Sequence, residues 1–187
     1  MIKKVQIPTS KDDVTVGQEQ EIDIIINKDL TEEQMDDEII KLFVGLDDIN
    51  DISKVDRDMF NESIGQAMTN EGDFKTRFKI GSIEFGMIPN FDKITGSEYT
   101  DLIKYSQNIE DLHRLMAVAF RPIKFKDRYK NYQITKYNGT GELGELMKQT
   151  PSSIAKGFNV FFLNLSNDLE NYILRSMAEE QVKGIIV

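Results

Sequence analysis

Three times the chain sets a threonine three residues ahead of a Gln or Glu at the mouth of a helically spaced run: Thr15 with Gln18, Thr31 with Gln34, and Thr95 with Glu98. At that spacing the threonine hydroxyl accepts from the backbone N–H of the later residue, whose side chain accepts from the threonine N–H. Two donors that a helix start leaves free are thereby satisfied. The first and third boxes also share their approach, Ile7-Pro8 before Val14-Thr15 and Ile88-Pro89 before Ile94-Thr95. The glycine moves from two places after Thr15 to one place after Thr95, and the Pro-to-Thr distance shrinks from seven to six. We read the shared part as one strand-to-helix entry used twice, with true duplication left open.

From these starts the spacing predicts helices over 16–27, from Thr31 to a stop at Gly45, and over 55–68, where Phe60, Ile64 and Met68 recur in steps of four. Asn70-Glu71-Gly72-Asp73 is the best boundary, dividing residues 1–72 from 73–187. Beyond it the period shortens. Phe74, Arg77, Phe78, Ile80, Ile83, Phe85 and Met87 surround Gly81-Ser82, a two-residue link suited to a hairpin. Helices follow near Gly96 and over 109–120, the latter ended by Arg121-Pro122 because proline disfavours helix in the residue before it. A second hairpin is expected over 123–136, then a short helix over 142–149. Thr150-Pro151 opens the longest helix, to about residue 182, with Thr150 as cap and Ile154, Phe158, Phe161, Leu165, Leu169 and Tyr172 on one stripe. The expected fold is α-rich α+β: two strand-helix-helix halves, small hairpins and a long C-terminal helix.

Charge divides the chain more sharply than structure does. Residues 1–72 carry 18 acidic and 7 basic side chains, and residues 73–187 carry 14 and 16, within a net charge of −9 over 187 residues. An acidic half draws basic partners and repels nucleic acid, although a solvated helical surface gives the same count. With no cysteine, disulfides and thiolate chemistry are excluded. Met1 to Ile7 has two lysines but no apolar run to make a signal peptide. The longest apolar patch, Phe158 to Leu165, is broken by Asn159 and Asn164 and is far short of a membrane span. The expected setting is therefore intracellular.

Motifs that suggest chemistry fail on their surroundings. Gly139-Thr140-Gly141-Glu142-Leu143-Gly144 matches G-x-G-x-x-G, but Glu142 puts negative charge where a phosphate would sit, and no parallel βαβ unit surrounds it. Asp47-Asp48-Ile49-Asn50-Asp51 lacks the ligand spacing, glycine and closing glutamate of a calcium loop. His113, the one histidine, lies beside Leu112 and Leu115, where a packed imidazole is the ordinary outcome. No catalytic residue, metal or cofactor is expected.

Two surfaces point instead to partners. Arg121, Lys124, Lys126, Arg128 and Lys130 alternate with Phe125, Tyr129 and Tyr132 in the second hairpin, the mix that grips phosphates or docks on an acidic protein. An ordinary two-faced strand, with Ile123 and Phe125 inward and Lys124 and Lys126 outward, gives the same pattern. On the last helix, Phe161 and Phe162 lie on or beside the stripe. Val160, Leu163, Ile173 and Leu174 widen it beyond one seam, which suggests a homo-oligomer.

From Ile88 to Leu165 the chain resembles a group of small tailed-bacteriophage proteins. The residues that carry this are Ile88-Pro89-Asn90, Asp92-Lys93-Ile94-Thr95, Glu98-Tyr99, Asp101-Leu102, His113, Met116-Ala117-Val118, Arg121-Pro122-Ile123, Tyr137-Asn138-Gly139-Thr140 and Phe161-Phe162. The resemblance implies a morphogenesis protein, most like a tail-assembly chaperone. Its partners would be tail or virion proteins, and it would work in the host cytoplasm during assembly. A structural component of the connector, tail or baseplate is the alternative it implies. A nucleic-acid-binding regulator using residues 121–136 is a third reading, which the acidic charge disfavours.

Overall fold

The computed structural model of the chain describes residues 7–45, 49–69, 72–129 and 131–167. Among them are seven α-helices and one four-stranded antiparallel sheet, an α-rich α+β fold. The acidic half supplies α1 (Val16–Ile26), α2 (Glu32–Val44) and α3 (Lys54–Thr69). There follow β1 (Arg77–Ile80), β2 (Ile83–Met87), α4 (Gly96–Tyr105), α5 (Leu112–Ala119), β3 (Phe120–Lys126), β4 (Tyr132–Ile134), α6 (Gly141–Met147) and α7, helical over 152–167.

All three threonine boxes close as expected, each with both reciprocal bonds formed. A fourth start uses a shorter acid: Asp56 N–H donates to Ser53 Oγ at 3.2 Å, and Ser53 Oγ donates to Asp56 Oδ2 at 2.7 Å. At the far end of α2, Gly45 stands in the left-handed region at φ 67° and returns its N–H to the Lys41 carbonyl.

The two hairpins are not separate. They join as one sheet in the order β1-β2-β3-β4, with Phe85, Gly86 and Met87 of β2 facing Pro122, Arg121 and Phe120 of β3. The helix expected over 109–120 is thus shorter. A 3₁₀ turn covers Ile109–Asp111, α5 ends at Ala119, and Phe120 already belongs to a strand. The proline that stops the helix holds the residue before it extended, and the extended chain finds a partner strand at once. Pro122 sits inside this central strand as an acceptor, its carbonyl taking the Thr135 N–H at 3.0 Å. Further along β3 the register shifts between Ile123 and Phe125. Past the shift Phe125 does not turn inward as expected and is 58% exposed, while Lys124 and Lys126 stay exposed.

The main core gathers Phe78, Phe85, Leu102, Leu115, Met116, Phe120, Met147 and Phe158 beneath the sheet. Phe120 meets Phe158 edge-on at 5.1 Å between ring centres. α1 reaches the same core through Val16. Its entry is stitched to the far end of the chain: Val16 N–H donates to Thr150 O, Gly17 N–H to Lys148 O and Ser152 N–H to Val14 O, all within 2.8–2.9 Å. Thr15 and Pro151 form an antiparallel bridge, so the first entry into a helix rests on one bridge among the described residues, not on a ladder. The same bridge holds Pro151 extended, and α7 begins only at residue 152, one position later than a Thr150 cap would set it. By contrast α2 and α3 enclose a small cluster of their own, Ile40, Val44, Ile49 and Phe60 with Ile52 against it.

Gly72 and Asp73, the described part of the expected boundary at 70–73, lie tight on α7 together with Phe74. A Cβ on Gly157 would come within 2.6 Å of the Asp73 carbonyl carbon and 2.7 Å of Phe74 N. Asp73 N–H donates to Ser153 O at 3.1 Å. The expected continuation of α7 to about 182, with Leu169, Tyr172, Ile173, Leu174 and Ser176, lies outside the described residues.

Candidate partner-binding surfaces

On the acidic face, the α2 box places Glu32 and Glu33 in the first turn, where backbone N–H groups favour negative charge. One turn on come Asp36 and Asp37, and α3 brings Asp58 and Asn61 opposite them. Between the helices lies an open cleft of about 650 Å³ whose apolar lining is Ile40 and Ile52. Arg57 is spent within the cleft: it pairs with Asp37 and donates to the carbonyls of Ile49 at 3.0 Å and Ile52 at 3.3 Å. Burial, then the charges of Glu32, Asp37 and Asp58, push the Asp36 carboxyl above its ordinary pKa. Like charges are thus held close enough to oppose one another, and a cation entering the cleft relieves them. Asp47 and Asp48 of the calcium-like run lie outside the described residues, and among the described residues no His, Asp or Glu group is arranged to hold a metal.

The basic hairpin is thinner than its sequence. Arg121 is buried: its Nη2 meets Glu98 Oε1 at 2.6 Å and its guanidinium lies over the Tyr137 ring. It therefore belongs to the interior and not to a surface strip. Lys126 is paired with Glu84 across the sheet. Lys124 is exposed, and Arg128 stacks on the exposed Tyr129 with 4.7 Å to the ring centre. Lys130 lies outside the described residues. The Asp127 carboxylate accepts from Tyr129 N–H, Asn131 N–H and Asn131 Nδ2, which holds its pKa below the ordinary range.

On α7, Phe162 is buried beside Phe158 at 6.0 Å between centres, and Phe161 stacks on Phe74 at 4.5 Å. Both serve the interior. The shoulder next to them is open, with Val160 59% and Leu163 45% exposed.

Groups with chemical potential elsewhere are consumed by the fold. Gln20 of α1 donates through Nε2 to the carbonyls of Ile109 and Glu110, and its Nε2 lies 3.0 Å from His113 Nδ1. The ring is buried, and burial followed by the charges of Lys148 and Arg114 lowers its pKa. His113 is a neutral pin between α1 and α5. Gly144, the last glycine of the G-x-G-x-x-G run, lies beside the ring, and a Cβ there would stand 3.6 Å from His113 Cδ2, an ordinary contact. Ser153-Ile154-Ala155-Lys156 has the spacing of a serine–lysine nucleophile pair. Ser153 Oγ donates to Asp12, and Lys156 pairs with Glu19, which also accepts from Ser152 Oγ. Both serines are buried. The missed signal was Glu19 itself, three residues after Val16 on the apolar side of α1.

Glu98 combines two tasks. Its Oε2 closes the third box, accepting from Thr95 N–H at 2.7 Å and Thr95 Oγ1 at 2.8 Å, while Oε1 holds Arg121. Burial raises its pKa, but the Thr95 bonds and the Arg121 charge outweigh that and keep it below the ordinary range. Comparison with family models, with curated proteins and with solved structures yields no match.

Proposed function

We propose that this chain is a non-enzymatic bacteriophage morphogenesis protein, most like a tail-assembly chaperone, which holds a basic stretch of an elongated tail protein against its α2–α3 face. The observation that carries the reading is the crowding of Asp36 by Glu32, Asp37 and Asp58 around a cleft with apolar Ile40 and Ile52. Such a cleft offers a lysine- or arginine-bearing segment both charge and a place for its aliphatic stem. The sequence resemblance between Ile88 and Leu165 supplies the phage setting. Those residues include the Glu98–Arg121 pair, His113 and the Met116-Ala117-Val118 core, so they speak for a shared scaffold more than for a shared site. Membrane insertion is not part of the proposal: among the described residues no helix is long and apolar enough to cross a bilayer.

The experiment is co-expression with the tape-measure or another elongated tail protein, followed by co-purification across a salt series. The reading expects co-purification that weakens as salt rises, and its loss in a Glu32→Lys, Asp36→Lys double variant that stays folded. Undiminished capture by that variant contradicts the placement on α2–α3. A structural virion role is the second reading, favoured by the open Val160 and Leu163 shoulder, which a ring neighbour would cover.

A further inference from the structure

One edge of the sheet has no neighbouring strand among the described residues. β1 is the outer strand of the order β1-β2-β3-β4, and its hairpin pairs Arg77 with Gly86, Phe78 with Phe85, Lys79 with Glu84 and Ile80 with Ile83. In an antiparallel pair, residues that exchange backbone hydrogen bonds alternate with residues that do not. Met87 N–H donates to Thr76 O at 2.9 Å, so Thr76, Phe78 and Ile80 are the positions bonded to β2. It follows that the N–H and C=O groups of Arg77 and Lys79 point away from the sheet. Among the described residues no strand lies beyond them. Along this edge runs an open groove of about 560 Å³ that extends from Phe74 to Lys79 and is bordered by Glu84.

The side chains say what would lie in it. Successive residues of a strand face opposite sides, so Arg77 and Lys79 share the outer face, and Phe78 and Ile80 face the core. Arg77 is steadied over the Tyr132 ring at 5.9 Å, and Lys75 meets Asp73 at 3.2 Å in an exposed pair. Arg77 and Lys79 are thus two cations on the same residues whose backbone groups are open, in a chain of net charge −9.

We infer that the β1 edge binds an extended segment of a partner protein by strand addition, and that the segment alternates acidic with apolar residues. An added antiparallel strand would place its acidic side chains directly across from Arg77 and Lys79, about 5.5 Å away between Cα atoms. Its apolar side chains would continue the layer of Phe78 and Ile80 toward the half-open Phe74. Main-chain hydrogen bonds supply affinity, and Arg77 and Lys79 supply selectivity. The occupant is the opposite in charge to the one proposed for the α2–α3 cleft, so the two surfaces can engage different segments at once. Lysines on an edge strand also deter unwanted pairing, and the experiment separates a guard from a dock.

The probe is a synthetic peptide of about eight residues alternating glutamate with valine, a strand-length segment, with a lysine–valine peptide of the same length as control. Two-dimensional NMR and amide exchange on the full chain read the outcome. The inference expects the Arg77 and Lys79 amides to become protected at least tenfold by the acidic peptide and not by the basic one. It expects Lys79→Pro, which removes an outward N–H and none of the bonds to β2, to weaken binding at least tenfold while the Phe78 amide keeps its protection. Arg77→Glu should abolish binding at low salt. Unchanged exchange at Arg77 and Lys79 under saturating peptide overturns the inference, as does Lys79→Pro binding that equals the wild type.

Discussion

The Glu98 carboxylate and the Arg121 guanidinium meet at 2.6 Å with both side chains less than a tenth exposed, so the box that starts α4 also anchors the central strand β3. A buried ion pair is weak evidence for stability as a pair, but removing one member leaves an uncompensated charge inside. Arg121→Met should therefore destabilise by about 3–5 kcal/mol. The double variant Glu98→Gln, Arg121→Met should recover a large part of that loss, because Gln still closes the box and no buried charge remains. Urea unfolding of the four proteins in the cycle checks this. A double variant as unstable as the sum of the singles would show that the two residues act independently.

Gly86 is the second coupling point. The Tyr132 ring from β4 lies where a Gly86 side chain would project, with Tyr132 Cδ2 2.9 Å from an ideal Cβ, and the phenol donates to Met87 O at 2.9 Å. Gly86→Ala should cost about 1–3 kcal/mol by overpacking, and Tyr132→Ala added to it should relieve the clash. Thermal unfolding of the single and double variants reads the coupling as a departure from additivity.

His113 gives the fold a pH slope in the mildly acidic range. Its folded-state pKa is lowered, so below the unfolded value of about 6.5 the unfolded chain binds the extra proton. Stability then falls as pH drops from that value through the folded one. The groups facing the ring are Lys148 and Arg114, which disfavour its charge, and Glu145 and Asp111, which oppose them more weakly. His113→Gln should flatten the slope between about pH 6.5 and 5 without altering stability at pH 8 by a comparable amount. Denaturation midpoints at pH 8, 6.5 and 5 decide it, and an unaltered slope in the variant assigns the effect elsewhere.

Glu98 adds a separate slope lower down. Its folded pKa is depressed, so its contribution is complete above the ordinary glutamate value of about 4.3 and is lost as pH falls through the folded one. Acid unfolding of Glu98→Gln followed by circular dichroism should show less loss between about pH 4.5 and 3 than the wild type. Equal loss would remove Glu98 from the account.

Local rules were readable in the chain, and long-range ones were not. Thr15, Thr31 and Thr95 each carry their cap within three residues, so the sequence alone located the starts of α1, α2 and α4 to within a residue or two. The link at Gly81-Ser82 did the same for β1 and β2. What escaped depends on partners far along the chain. Nothing near Arg121 says that Glu98 will bury it, and nothing in Lys124 says that the register of β3 will shift and leave Phe125 exposed. Pro122 was legible as a helix stop but not as a resident of a central strand. The alternation of Lys75, Arg77 and Lys79 was visible, but its meaning needed the knowledge that β1 is an edge.

The central claim is that this chain assists assembly of a phage tail and then leaves. Quantitative mass spectrometry of purified phage particles, set against the lysate they came from, tests that most directly. The account predicts abundant protein in the lysate and none above trace in finished particles; a fixed, stoichiometric number of copies per particle would contradict it.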